Sequence, residues 1–228
     1  MLLTYVMNEK RNIEFGVFDR KAHTDQHFRK LPHWFQPGVA TFITFRTKDS
    51  MPKTVVDSWH REIEQWLMEH EVETTNQSEL LPVTDSLPKH LRSKYNKMKS
   101  QGWHERLDHC LGSCPFRDQD LAAIVSDTLK FFDGDRYDLA SFVIMPNHVH
   151  VLVQFRAQFN LKKQTASWLR FSAREINRQL NRTGPFWQSE PFDHLIRSEE
   201  QFFYLSDYIR DNPKKAGLAS GEYLYYER

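Results

Sequence analysis

Two histidines, His148 and His150, stand one residue apart in the stretch VIMPNHVHVLV, a run otherwise composed like a buried strand. Residues i and i+2 of a strand point to the same face, with Cα atoms roughly 6–7 Å apart. The two imidazoles therefore share a face and can converge on one divalent ion, for which histidine is a common ligand. Val149, Val151 and Val153 point the other way and can bury against helices, so one face is packed and the other is free to carry chemistry. An isolated His-x-His pair has a plainer reading as well, two polar residues on a solvent-facing sheet surface. The pattern by itself leaves both open.

The surrounding elements must position this pair. VATFITFRT, Val39 to Thr47, is rich in β-branched and aromatic residues and predicts a strand. Val55, Val56, Trp59, Ile63, Trp66 and Leu67 follow at helical spacing after the start signals Asp49, Ser50 and Pro52. From about Glu71 to Cys114 the pattern weakens into a polar excursion, helical around Lys89 to Ser100. RDQDLAAIVSDTLKFF predicts a helix, LASFVIM a strand, PN a turn and HVHVLVQF the partner strand. Leu161 to Asn181 is a helix with Leu169, Ala173, Ile176 and Leu180 on one stripe. A short strand is expected around His194 to Arg197. Ser198, Glu199 and Glu200 open a last helix, acidic where the helix dipole favours acid, which should run to about Asn212 before Pro213 and Gly217. Leaving out the excursion, the order is strand, helix, strand, strand, helix, strand, helix. That is an α+β fold with a ferredoxin-like βαββαβ antiparallel sheet, helices on one face, an extra C-terminal helix and a helical insertion. The expected organisation is an N-terminal arm (1–38), one catalytic domain (39–217, insertion about 71–114) and a tail (218–228).

Bulk properties narrow the class. No window of apolar residues is long enough for a membrane span, and the N-terminus lacks the pattern of a signal peptide. Two cysteines, Cys110 and Cys114, give no disulfide framework and suit a reducing cytoplasm, the expected location. A net charge of +1 means that any nucleic-acid surface must be local. One such surface is visible. Lys162, Lys163, Arg170, Arg174, Arg178 and Arg182 lie in or just after the long helix, and Glu175 is the single acid between Leu161 and Gln188. Phosphate contact and a solvated helix face are both consistent with this stripe. Arg197, Arg210, Lys214 and Lys215 add positive charge around the last helix. The insertion holds a second basic cluster, Lys89, His90, Arg92, Lys94, Lys97 and Lys99. Trp168 and Trp187 offer rings for stacking on unpaired bases, but burial in the core is the plainer reading of each. CLGSC with His104 and His109 superficially suggests zinc, but the spacing is loose and no second cysteine pair exists.

Three separated motifs, FVIMPNHVHVLV, GPFWQ and FDHLIRSEEQFFYLSDYIRDNPKKAGL, occur in this order. Together they resemble the REP-associated tyrosine transposases, members of the HUH (histidine, hydrophobic residue, histidine) single-strand DNA transposase superfamily. The resemblance covers the chain from about Val39 onward. It implies a metal-dependent single-stranded DNA endonuclease and strand transferase acting at hairpin-forming repeats through a covalent 5′-phosphotyrosine. In the family pattern Tyr-Ile-x-x-Asn-Pro-x-Lys-Ala-Gly the nucleophile is Tyr208 in DYIRDNPKKAGL; Tyr204, one turn earlier, is its competitor. His148 and His150 would hold Mg²⁺ or Mn²⁺. Asn212, four residues after Tyr208 and on the same helix face, would be the third ligand, with a helix cap as its plainer role because Pro213 follows it. His194 is a candidate for metal or phosphate contact or for a structural hydrogen bond. The implied partner is hairpin-bearing single-stranded DNA, with no membrane and with either a monomer or a homodimer as the working form. Two further readings stand beside this one: a hairpin-binding protein or repressor that does not cleave, and a hydrolase of small phosphates. The basic helix and the absence of a nucleotide-cradling glycine loop weigh against the last.

Overall fold

The computed structural model describes residues 5–8, 13–28, 32–72 and 87–228. The remainder of the expected arm, and the part of the expected insertion at 73–86, lie outside the described residues. Two short hairpins open the chain: β1 (Tyr5–Asn8) with β2 (Ile13–Gly16), and β3 (Asp25–Phe28) with β4 (Pro32–Phe35). Four-residue strands are too short to be read from periodicity, which is why the sequence suggests only an irregular arm. Packing holds them, since Phe15 and Val17 are buried beside Phe202 and Phe42.

The main sheet contains β5 (Ala40–Arg46), β6 (Tyr137–Ile144), β7 (His148–Phe155), β8 (Phe192–Leu195) and β9 (Leu224–Glu227). Its order is β8-β5-β7-β6-β9, and every neighbouring pair is antiparallel. The first four strands in this order give the ferredoxin-like arrangement expected from the sequence. The fifth is new: within 218–228, Leu224–Glu227 pairs with β6 along the sheet edge. An edge strand of four residues leaves too weak a signal in the sequence to be seen.

Among the described residues five α-helices accompany the sheet: α1 (Lys53–Glu69), α2 (Lys89–Asp108), α3 (Gln119–Lys130), α4 (Leu161–Gln179) and α5 (Glu199–Lys215). Asp118, Asn160 and Ser198 cap α3, α4 and α5 by accepting hydrogen bonds from backbone N–H groups of the first turn. On one face of the sheet, Val149, Val151 and Val153 meet Leu121, Val125 and Leu129 of α3 and Trp168 and Ile176 of α4. Each aliphatic side chain taken from water there contributes about 1.5–3 kcal/mol. On the other face, Phe42, Val143 and Leu152 meet Phe202 and Ile209 of α5.

The helix that fills the first crossover on the sheet is α3 rather than α1. The α1 stripe of Ile63 and Leu67 is buried instead against Leu87 and Tyr95, in a small core separate from the sheet. The excursion from the sheet fold thus begins with α1. The last helix also continues past Asn212 to Lys215, with Pro213 inside it. It ends where Gly217 (φ 69°) turns the chain: Leu218 N–H donates to Pro213 C=O and Gly217 N–H to Lys214 C=O, a Schellman closure. Pro213 lacks one donor, and this ending satisfies the carbonyls that follow.

Candidate active site

The β5–β7 register sets Thr44 opposite His150 and Arg46 opposite His148. His148 and His150 do project from one sheet face, with ring centroids 4.7 Å apart, and both are completely buried. Their surroundings are polar. Asn147 donates through Nδ2 to the Leu111 carbonyl (2.6 Å), so its Oδ1 must accept from His148 Nδ1–H (2.8 Å). The proton is thereby fixed on Nδ1, and the lone pair of Nε2 faces the site without a partner. His150 Nδ1 hydrogen-bonds Thr44 Oγ1 at 2.7 Å, and its Nε2 lies 3.4 Å from the Tyr208 hydroxyl. Phe42 stacks on the His150 ring at 5.3 Å.

Two helices close over this pair. From α5 come Tyr208 and Asn212, one turn apart. Asn212 is fully buried; its Nδ2 donates to Asp108 Oδ1 at 3.3 Å and its Oδ1 has no partner. From α2 come His104 and Asp108. The His104 ring lies 6.0 Å from that of His150 and 5.9 Å from that of Tyr208, and Asp108 Oδ1 lies 3.7 Å from His148 Nε2. One ligand atom from each of Asp108, His148 and His150 falls within 4.8 Å of the others, the one such group among the described residues.

Burial sets the charge states. It pushes His148 down to about 3, with His104 and Arg46 adding to the effect. His150 is lowered by burial and by its neighbours His148 and His104. Both imidazoles are therefore neutral at ordinary pH, as metal ligands must be. Burial raises Asp108 to about 6, against the opposing pull of Asn212 and Lys215. The approach of Asp108 to His148 is accordingly a neutral imidazole beside a carboxyl group rather than an ion pair. Tyr208 is raised above its usual value by burial, then by Asp108 and Tyr204, so it is held as the neutral phenol. The Arg46 guanidinium, lowered by burial to about 10 and still charged, lies 5.0 Å over the Trp103 ring and forms no ion pair among the described residues. Lys215 sits 5.5 Å from the Tyr208 ring.

The donors fit a divalent ion. One ligand atom from each of His148, His150 and Asp108 lies close to the others, and the unpartnered Asn212 amide oxygen is on the same side of the sheet, a mixed nitrogen and oxygen set. Hydrogen bonds with Asn147 and Thr44 orient both rings, as partners behind metal-bound histidines do.

The structure brings His148, His150, Tyr208 and Asn212 together, with Lys215 at the rim. It does not bring the basic stripe. Lys162, Lys163, Arg170, Arg174 and Arg178 are exposed on α4 and Arg182 just beyond it, and α4 packs on the opposite face of the sheet. Arg174 and Arg178 both pair with Glu175, and Arg182 lies over Phe186. Arg210 pairs with Asp207 and Asp211 on the outside of α5, while Arg197 and Lys214 are exposed. His194 makes a structural contact, 2.8 Å from Gln201 in the first turn of α5. Tyr204 is 68% exposed, whereas Tyr208 meets His150 and His104, which makes Tyr208 the tyrosine at the site. Trp168 and Trp187 are core residues, their indole N–H groups donating to Tyr137 and Ser172. The Cys110 and Cys114 thiols join no metal-type cluster among the described residues.

Thr44, Arg46, Asp108 and Asn147 were not legible as site residues, and His104, noted only beside the two cysteines, lies instead against His150 and Tyr208. Asn147 had the best signal, being adjacent to His148 in the turn; Asp108 lies in a polar stretch of weak periodicity, with nothing to point to it.

Comparison with known proteins agrees with the motifs. Residues 117–212 match the family described as Transposase IS200 like. Over 91 residues the chain is 31% identical to a protein of Haemophilus influenzae named as a REP-associated tyrosine transposase, an alignment covering 36% of this chain and 52% of the relative. The chain thus spans about half the length of that relative. A solved structure described as a REP-associated tyrosine transposase bound to a REP hairpin aligns at TM-score 0.43 and 13% identity, over 84% of this chain and 76% of the other. The sequence matches bear out the resemblance to REP-associated tyrosine transposases.

Proposed function

We propose that this chain is a metal-dependent single-stranded DNA endonuclease and strand transferase acting at hairpin-forming repeats through a tyrosine-linked intermediate. One observation carries the reading. The Tyr208 hydroxyl, on the last helix, and the Nε2 atom of His150, 58 residues earlier on a central strand, meet at 3.4 Å beside the unpartnered Nε2 of His148. A helix aromatic placed only for packing has no reason to present its hydroxyl to a pair of neutral imidazoles.

His148 and His150, with Asn212 as an oxygen donor, would hold Mg²⁺ or Mn²⁺. When bound, such an ion supplies Lewis-acid polarisation of the scissile phosphate. The residues of the chain do the rest. Tyr208 oxygen bonds to phosphorus, the bond from phosphorus to the 3′ oxygen breaks, and the phenolic proton ends on the released 3′ hydroxyl. The 5′-phosphate stays on Tyr208 until a second 3′ hydroxyl reverses the step. Arg46 and Lys215 offer positive charge to the phosphoryl oxygens, while Asn147 keeps His148 in the required tautomer and Thr44 holds the His150 ring in place. Arg197, Lys214 and the α4 stripe are proposed phosphate contacts for the flanking DNA; those on α4 require the strand to pass around the sheet.

The test is incubation of the protein with a single-stranded oligonucleotide carrying a hairpin repeat, with Mg²⁺ or Mn²⁺, followed by denaturing electrophoresis. A denaturation-resistant protein–DNA adduct is expected, absent in Tyr208→Phe. Tight hairpin binding without any adduct would select the non-cleaving hairpin binder instead.

A further inference from the structure

His148 and His150 have no accessible surface, and part of what seals them is foreign to the sheet fold. His104 and Asp108 are four residues apart on α2, hence on one helix face, and that face lies over the two imidazoles. Apart from Leu107, which is buried at its C-terminal end, the apolar anchoring of α2 is in the small core between α1 and α2, where Tyr95 is buried with Ile63, Leu67 and Leu87. Over the site, α2 is held by polar and aromatic contacts. Asn212 donates to Asp108 at 3.3 Å, Arg46 lies over Trp103, and His104 meets Phe192 edge-on at 6.3 Å.

The connection after α2, by contrast, is fixed. Gly112 has φ +90°, and a Cβ there would come within 2.6 Å of the Asp49 carbonyl oxygen. Ser113 N–H donates to the Asp49 carboxylate at 2.8 Å. Asp108 is thus the point where an excursion with its own small core reaches a rigid loop beside the histidines. Three buried polar atoms in this closed arrangement lack partners: His148 Nε2, Asn212 Oδ1 and His104 Nδ1. A buried polar group without a partner is costly, so the arrangement is complete only with something bound among them.

We propose that Asp108 is a further metal ligand, supplied by the α1–α2 excursion, and that α2 is a cover which the ion holds shut and an incoming DNA phosphate displaces. The proposal rests on the metal reading above. The closed site has no opening to His148 or His150, so a phosphodiester must take space now filled by one of the two covering helices; α5 carries Tyr208 and Asn212, which leaves α2 as the one to yield. An oxygen of that phosphate is chemically equivalent to the Asp108 carboxylate as a hard, anionic donor. Exchange of one for the other would open the cover only when substrate is present. By linkage, any group that helps to bind the ion in the closed form must also favour closure.

The test uses the full chain and Mn²⁺ alone. Titration calorimetry measures Mn²⁺ affinity for the wild type, Asp108→Asn, Asp108→Ala and His148→Ala. Hydrogen exchange follows residues 89–108 with and without Mn²⁺. In the wild type Mn²⁺ should slow exchange across α2. Both Asp108 variants should bind Mn²⁺ about tenfold or more weakly, since even outer partners of metal ligands typically cost 10–100-fold. In these variants α2 should exchange fast whether or not Mn²⁺ is present, while β6 and β7 stay protected, which shows that the sheet is folded. Asp108→Asn keeps the size of the side chain and a hydrogen bond to Asn212, so it isolates the loss of charge. Wild-type affinity and Mn²⁺-dependent protection in Asp108→Asn, with binding lost in His148→Ala, would overturn this proposal and leave the metal reading standing. Failure of the wild type to bind Mn²⁺ would overturn both.

Discussion

The two faces of the central sheet are built from the same strands and do opposite work. Along β7, Val149, Val151 and Val153 enter an apolar layer with α3 and α4, while His148 and His150 enter a polar pocket under α2 and α5. The first face has satisfied hydrophobic contacts and an exposed basic helix on its outside. The second has unpartnered buried atoms, neutral imidazoles and a tyrosine hydroxyl. The difference teaches that charge and chemistry need not share a side. The single-sign stripe that stands out in the sequence belongs to the stabilising face, and the reactive one carries its positive charge in the dispersed residues Arg46 and Lys215.

Substitution on each face separates their roles, and the largest effect is expected on the reactive side. Tyr208→Phe removes one oxygen and should abolish the covalent adduct while leaving thermal stability and hairpin binding intact; an adduct that persists in Tyr208→Phe but vanishes in Tyr204→Phe would move the nucleophile by one turn. On the packed face, Ile176→Ala opens a cavity in a fully buried position and should cost about 2–5 kcal/mol in denaturant unfolding. Adduct formation per folded molecule should not change, and a selective loss of activity would mean that the faces are coupled.

A third experiment probes the packed face at the β8 edge, where Asp193 lies opposite Ile43 of the apolar layer. His33 on β4 hydrogen-bonds both Asp193 of β8 and Glu190, in a cluster with little solvent exposure. Burial works against a charge on His33, but Asp193 and Glu190 outweigh it and raise its pKa above 6.5. The stabilisation is present below the unfolded value and is lost as pH rises through the higher folded value. His33→Ala should therefore cost about 3 kcal/mol near pH 6, the scale for breaking a buried pair, and the gap from wild type should narrow toward pH 9. A gap that widens with pH would reverse the assignment. The smallest effect is expected from the basic stripe. Combined Arg170→Ala, Arg174→Ala and Arg178→Ala should weaken DNA binding and lower its salt slope by up to about three units; an unchanged slope would show that the face is merely solvated.

Much of the fold was legible because its long elements obey strong local rules. The period-2 alternation of β7 and the cap at Ser198 are set by neighbours within one or two turns of chain, and the structure has them where those rules place them; of the expected α4 stripe, Leu169, Ala173 and Ile176 pack on the core while Leu180 lies past the helix end and is exposed. Short elements were not legible. The β1–β4 hairpins and β9 draw their stability from long-range pairing, and α1 has an apolar stripe that fits a sheet as well as it fits α2.

The sequence by itself determined the chemical vocabulary of the site: two histidines on one strand face, and a tyrosine and an asparagine one helical turn apart. These are consequences of backbone geometry over a few residues. Only the tertiary structure decided that the two pairs meet, and that His104 and Asp108 close over them from an excursion with no periodic signal of its own. It also decided that the most basic helix lies behind the sheet. The physical reason is that these relations depend on which apolar surfaces cover each other across tens of residues. A helix stripe states that it will be buried; it does not state against which face.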